Sequence, residues 1–264
     1  MIIPFTRLRE RYIGLKRLNT AEQLAAAQAA TAKELAAEFG ASLQAFQAYR
    51  NNEPFFETAR NPLCAVEGLA GLQRTEEFAA ALKAQGGGSV EGAADLDFRY
   101  LERELVPART TGAARYSNGE DAGRFIRFDL LLAGERPILC ELKLPGDNGS
   151  AYYALVQLLA SLAEMAMEAQ RERLARHFAG LPDPRHGRFD LYLLFYEFNF
   201  RSKPKSEILQ LTGRLAEDLV VCPEVAGQVR RIAALNASWT RSGGIEFRML
   251  FDCGGKQRSA ASLP

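Results

Sequence analysis

Apolar residues recur with helical spacing through the first third of the chain and in strand-like runs further on. Residues 1 to about 84 follow the helical pattern. "TAEQLAAAQAATAKELAAEFG" opens with Thr20 three residues before Gln23, the spacing of a capping box, and Gly40 supplies a C-terminal stop. Two more helices are predicted, in "SLQAFQAYR" and "TEEFAAALKAQ". "GGGSVEG", from Gly86 to Gly92, reads as a linker, or as a long surface loop within one domain. A boundary there divides a helical region, 1–88, from a second unit, 89–252, and leaves 253–264 as a loose tail.

Beyond the boundary, "LDFRYLERELVP" predicts a helix ended by Pro107, and "AARYS" a short strand. "FDLLLAGERPILCELKL" predicts two strands around a turn at Gly134. "PGDNGS" is a turn in which Ser150 caps a helix running to about His177. The almost wholly apolar run from Phe189 to Phe200 suits a strand covered on both faces. A helix in "SEILQLTGRLAEDL" and an alternating strand in "GIEFRMLF" complete the pattern. The order is that of an α/β protein in which a hairpin precedes a crossover helix.

Three charges interrupt this pattern. Asp129, Glu141 and Lys143 lie inside the two apolar strands of the hairpin. Alternation puts Glu141 and Lys143 on one face, with Cys140, Leu142 and Leu144 on the other. If Gly134, Glu135 and Arg136 form a three-residue loop, Ala133 pairs with Pro137 and Asp129 stands opposite Glu141. A two-residue loop would move Asp129 to the wrong face.

In the first register two carboxylates converge beside one ammonium. A divalent cation relieves their repulsion, and hard oxygen ligands suit Mg²⁺ or Mn²⁺. The backbone carbonyl of Leu142 is a candidate third ligand. Such an ion polarises a phosphoryl oxygen and acidifies bound water, while Lys143 positions that water or stabilises charge on phosphate. The plainer reading is a solvated hairpin face laced with weak surface ion pairs.

Composition limits the partners without naming one. The chain has 264 residues, 47% hydrophobic and 25% charged, enough for a substantial core. Its 33 Lys and Arg nearly balance 32 Asp and Glu, so long-range attraction to nucleic acid is not implied and phosphate contacts must be local. Cys64, Cys140, Cys222 and Cys253 are widely spaced, and His177 and His186 are the sole histidines, which disfavours a structural zinc site. The expectation is reduced thiols in a soluble cytoplasmic protein with no membrane segment and no signal peptide.

The arrangement of Asp129 and "Glu141-Leu142-Lys143" across a hairpin, followed by a capped helix, resembles the PD-(D/E)XK nuclease superfamily. Eleven residues separate Asp129 from Glu141, a spacing that fits the hairpin of that superfamily. Many members carry a glutamine in the helix after the hairpin. Gln157 fills that place here, with Tyr153 one turn earlier on the same face. Many also carry a glutamate in the helix before the sheet, and Glu104 or Glu102 fills that place. Phe128 stands where the name-giving proline would be.

The resemblance covers residues 95 to 200. It implies a restriction-endonuclease-like αβββαβ core and metal-dependent phosphodiester hydrolysis, usually of DNA, with Asp129, Glu141, Lys143 and Gln157 in the site. The helical N-terminal region and mixed C-terminal extension are then expected to select the substrate or drive homodimerisation. Arg201, Lys203 and Lys205 in "NFRSKPKSE" are candidate phosphate contacts, and Arg127 shares a strand face with Asp129. The N-terminal "RLRERYIGLKR", with Arg7, Arg9, Arg11, Lys16 and Arg17, reads as a basic arm or as ordinary helix-surface charge. A non-catalytic protein that binds nucleic acid or a protein partner and retains this fold is the alternative function.

Overall fold

A computed structural model describes residues 2–16, 31–48, 74–107, 115–118, 126–145, 147, 150–198, 200 and 203–254. Its helices are α1 (Arg7–Lys16), α2 (Ala32–Ala48), α3 (Thr75–Gln85), α4 (Ala151–Met165), α5 (Glu168–His177), α6 (Lys203–Val221) and α7 (Pro223–Ala226). Its strands are β1 (Ile2–Ile3), β2 (Gly87–Gly88), β3 (Phe98–Leu105), β4 (Arg115–Tyr116), β5 (Phe128–Ala133), β6 (Pro137–Lys143), β7 (Phe189–Tyr196), β8 (Val229–Trp239) and β9 (Ile245–Gly254).

The fold is mixed α/β. Seven strands form one sheet in the order β2-β3-β5-β6-β7-β8-β9. The β6–β7 and β7–β8 pairs are parallel, and the other pairs are antiparallel. A bridge between Val90 and Phe247 joins the segment after β2 to β9, so the sheet curls until its edges meet.

Each face of the sheet carries its own core. On one face α4 packs against β6, with α1, α2 and α6 laid over it. Nearly every side of α4 is buried, as its apolar sequence requires. Leu155, Leu158, Leu159 and Leu162 are fully buried, each contributing about 1.5–3 kcal/mol, which anchors the helix that carries Gln157. On the other face α3 fills the curl, packing Phe78 and Leu82 with Phe98, Leu142, Tyr196 and Phe247.

Several elements differ from the sequence reading. The segment "LDFRYLERELVP" forms strand β3, not a helix. Its Leu, Glu and Arg favour helix, but pairing with β5 and burial of Phe98, Arg103 and Leu105 override that preference. The glycine-rich segment is not a linker: Gly87 and Gly88 form β2 in the main sheet. Gly87 has φ +146°, and a Cβ there would lie 2.0 Å from the Phe98 carbonyl oxygen, so only glycine fits.

The N-terminal helices α1 and α2 share a core with α4, so position 88 does not separate two cores. Helix α2 runs through Gly40 to Ala48, where a stop and a second helix were expected. The Thr20 capping box lies outside the described residues, but Thr31 and Glu34 form one at the start of α2. Thr31 N–H donates to Glu34 Oε2 (2.8 Å) and Glu34 N–H to Thr31 Oγ1 (3.2 Å).

The single long helix expected after Ser150 is two, α4 and α5, broken at Ala166 and Met167. The short strand in "AARYS" exists as β4, but it pairs with β1 outside the main sheet. Strand β7 stops at Tyr196, before Glu197 at φ 45°. Strand β8 was not foreseen, and β9 extends to Gly254, past the expected start of the tail. Among the described residues no helix is long and apolar enough to cross a membrane.

Candidate functional site

The hairpin turn decides the site. Ala133 pairs with Pro137 and Leu130 with Cys140, the register of a three-residue loop. One residue further, Asp129 stands opposite Glu141. Asp129 Oδ2 accepts the backbone N–H of Leu142 at 2.9 Å. Because the N–H and C=O of a strand residue point to the same neighbour, the Leu142 carbonyl also faces β5.

Glu141 and Lys143 project towards α4, while Cys140, Leu142 and Leu144 pack into the opposite core. Glu141 is 2% exposed and Lys143 6%. Lys143 Nζ donates to Glu141 Oε1 at 2.6 Å. Gln157 reaches down from α4, and its Nε2 donates to Glu141 Oε2 (2.7 Å) and to the Arg127 carbonyl (2.9 Å). Ser150 caps this helix, its hydroxyl accepting the Tyr153 N–H at 3.1 Å.

Electrostatically the centre holds more negative charge than it balances. Burial pushes the Glu141 carboxyl well above the usual range, and Asp129 adds to the shift. Burial likewise raises Asp129, against the pull of Lys143 and the Leu142 N–H. For Lys143 burial opposes the ammonium, but Glu141 and Asp129 outweigh it and hold its pKa above the ordinary value. The buried Glu141 and the partly exposed Asp129 share the Lys143 ammonium, with Arg127 acting on Asp129 from the surface.

The donor set fits a hard divalent ion. Asp129, Glu141 and the Leu142 carbonyl are oxygen ligands of the kind Mg²⁺ and Mn²⁺ take, with water completing the shell. Among the described residues no cluster of three or more His, Cys, Asp or Glu side chains is arranged for a metal. A set of two carboxylates and a carbonyl matches the way Mg²⁺ is commonly bound, through one or two carboxylates and retained waters.

Glu104 lies in β3, where a helix was expected, and the β3–β5 register places it beside Asp129. It adopts φ 51°, a conformation that costs a non-glycine residue about 1–3 kcal/mol, and its carboxylate lies 3.4 Å from the exposed Arg127 guanidinium. Glu102 is placed differently: it pairs with Leu131, and its Oε1 accepts the Arg103 N–H.

The expected phosphate-binding loop is the start of helix α6, with Lys203 at its first position. Lys205 rests its ammonium 4.4 Å from the centre of the Phe198 ring. Since β6 and β7 are parallel with Lys143 beside Phe195, this helix start follows β7 at the same end of the strands as the site. Arg201 lies outside the described residues. In the proposed basic arm, Arg9 is buried beside Glu164 (3.8 Å) and Arg11 forms a bidentate bond to Glu38, so both are committed internally.

Sequence reasoning missed one neighbour of the site. Tyr12 of α1 stacks on Tyr153, ring centres 5.5 Å apart and planes at 21°, and the Lys143 ammonium lies 4.8 Å from the Tyr153 ring centre. Tyr12 repeats with Leu8 and Leu15 at helical spacing, which marks a buried stripe but not its target.

No family model matches the chain, and searches of curated proteins and of solved structures return no significant match.

Proposed function

We propose that the chain is a metal-dependent nuclease of the PD-(D/E)XK type, hydrolysing phosphodiester bonds, most readily of DNA. The observation that carries this reading is the convergence of Asp129, Glu141 and Lys143 at the C-terminal end of β6, with Gln157 bonded to Glu141 from the following helix. The chain order α3, β3, β5, β6, α4, β7 supports a restriction-endonuclease-like αβββαβ core. The first helix of that core is then α3, not the segment that forms β3.

Asp129, Glu141 and the Leu142 carbonyl would hold Mg²⁺ or Mn²⁺. When bound, the ion supplies Lewis-acid polarisation of the phosphate and an acidified water. Asp129 and Glu141 orient the reacting groups, and their ionised forms set the local charge. Lys143 directs its N–H donors towards charge developing on the phosphate, an arrangement worth more in a buried site than in water. Gln157 fixes the rotamer of Glu141 through a buried hydrogen bond and ties it to the backbone of Arg127.

Plasmid nicking and oligonucleotide degradation in Mg²⁺ or Mn²⁺ test this reading. Cleavage should require the ion and fall at least about 100-fold in Asp129→Ala and Lys143→Ala. Cleavage that survives both substitutions, or its absence with every DNA and RNA substrate, refutes it. The second result favours a non-catalytic binding protein, a reading consistent with the internal commitment of Arg9 and Arg11.

A further inference from the structure

We infer that Tyr12 is a positioning residue of the candidate centre: stacked on Tyr153, it fixes the ring against which the Lys143 ammonium rests, and so makes α1 part of the site. The inference deepens the hydrolase reading and rests on it for its kinetic consequences. Its structural consequence can be measured without activity.

Lysine carries its charge on a flexible four-carbon stem with three rotatable donors. One donor of Lys143 is committed to Glu141 Oε1 at 2.6 Å. The second restraint on the ammonium is the face of Tyr153, 4.8 Å from ring centre to nitrogen. Tyr153 is the one residue of α4 that is not buried; it sits in the first turn of the helix and packs against the margin of the core. Tyr12 covers that ring in a near-parallel stack, ring centres 5.5 Å apart. Tyr12 itself is 7% exposed.

Helix α1 does not depend on this stack for its place. It is fixed independently by Leu8 and Leu15 in the core, by the Arg9–Glu164 pair and by the bidentate Arg11–Glu38 bond. Removing the Tyr12 ring therefore leaves α1 docked and frees Tyr153. The residue at position 12 acts through Tyr153 on Lys143, so its effect belongs to kcat rather than to KM.

The test is reductive methylation of the native full-length protein, with the rate at Lys143 read by peptide mass spectrometry against the exposed Lys83. In Tyr12→Leu the Lys143 rate should rise about 3- to 30-fold, the factor a lost cation–π restraint allows, while Tyr12→Phe stays within about twofold of wild type. Leu8→Ala loosens the same helix but keeps both stacked rings, and should leave the Lys143 rate unchanged. On a cleaved substrate, kcat should fall by the same factor in Tyr12→Leu at constant KM, with Tyr12→Phe restoring it.

An unchanged Lys143 rate in folded Tyr12→Leu overturns the inference. So does a Leu8→Ala variant that exposes Lys143 as fully as Tyr12→Leu at equal loss of stability. Should Tyr12→Leu fail to fold, Tyr153→Leu replaces it, with the same expected rise at Lys143 and the same refutation. If no variant cleaves, wild type included, the hydrolase reading falls, and the methylation rates still decide the role of Tyr12.

Discussion

Replacing Lys143 by methionine separates the charge of the centre from its packing. Methionine keeps most of the stem and deletes the ammonium, which lies 2.6 Å from Glu141 Oε1. At that separation and an effective dielectric of about 20, the lost attraction is about 6 kcal/mol. Measured costs of breaking a buried ion pair are smaller, about 3–5 kcal/mol, because the group left behind relaxes. Here it relaxes by taking a proton. The variant should therefore lose about 3–5 kcal/mol at pH 8. At pH 5 a protonated carboxyl removes most of that penalty, leaving the lost contact with Tyr153, about 1 kcal/mol.

The sign follows from which state binds protons more tightly. A carboxyl whose folded pKa exceeds its unfolded value contributes stability at low pH and loses it as pH rises from the unfolded value towards the folded one. Burial already places Glu141 and Asp129 in that position, and Lys143 pulls both down. Deleting Lys143 raises both further, so the extra loss begins above about pH 4 and grows through pH 8. The ammonium's own contribution persists up to its unfolded pKa of about 10.4 and fades only above it, outside this window. Urea unfolding of wild type and variant at pH 5 and pH 8, with equal m-values, measures the difference. A deficit that is the same at both pH values, or larger at pH 5, refutes the charge balance argued for this centre.

Two other outcomes are expected. Mg²⁺ at 10 mM should stabilise the wild type by about 1.4 kcal/mol for a Kd of about 1 mM, seen as a rise in Tm, and Asp129→Ala should abolish the rise. A Tm indifferent to Mg²⁺ and Mn²⁺ in the wild type would count against the ion. Gly87→Ala forces a Cβ to 2.0 Å from the Phe98 carbonyl oxygen, a backbone atom that cannot turn aside, and should cost about 3 kcal/mol in chemical denaturation. A loss below about 1 kcal/mol would show that β2 detaches from the sheet at little cost.

The hairpin was legible because its information is local. The loop Gly134–Glu135–Arg136 and strict alternation on both sides leave one register that buries the apolar residues, and that register sets Asp129 against Glu141. Gln157 and the Ser150 cap were legible for the same reason, lying one element further along the chain. Strand β3 was not, since "YLEREL" has helix-forming composition and its strand state comes from β5, some 30 residues away. Strand β8 begins Val-Arg-Arg and continues through alanines, with Val229 and Ile232 its only β-branched residues, so neither strict alternation nor a β-branched run marks it. Its Arg231 is buried against Asp95 and Asp252, partners distant in sequence. Tyr12 was out of reach because nothing near it in sequence indicates that α1 lies beside the first turn of α4.

The position of Asp129 explains why a charge is tolerated in an apolar strand. The backbone ladder between β5 and β6 ends at Leu130 and Cys140. One step further, the N–H of Leu142 still points at β5, but its partner is the Asp129 carboxylate and not a backbone carbonyl. The aspartate thus satisfies the donor that would otherwise be orphaned where the strands part, which offsets part of its own burial cost. The same substitution of side chain for backbone lets the strands diverge, and it leaves the Leu142 carbonyl facing the gap with no ladder partner from β5. Glu141 meets that gap from the side of α4, held by Gln157 and Lys143. One residue therefore ends the hairpin and begins the centre. Asp129→Ala removes the acceptor and the charge at once, whereas Asp129→Asn keeps an acceptor for Leu142 and removes only the charge, so the comparison of the two separates the strand-ending role from the proposed ligand role.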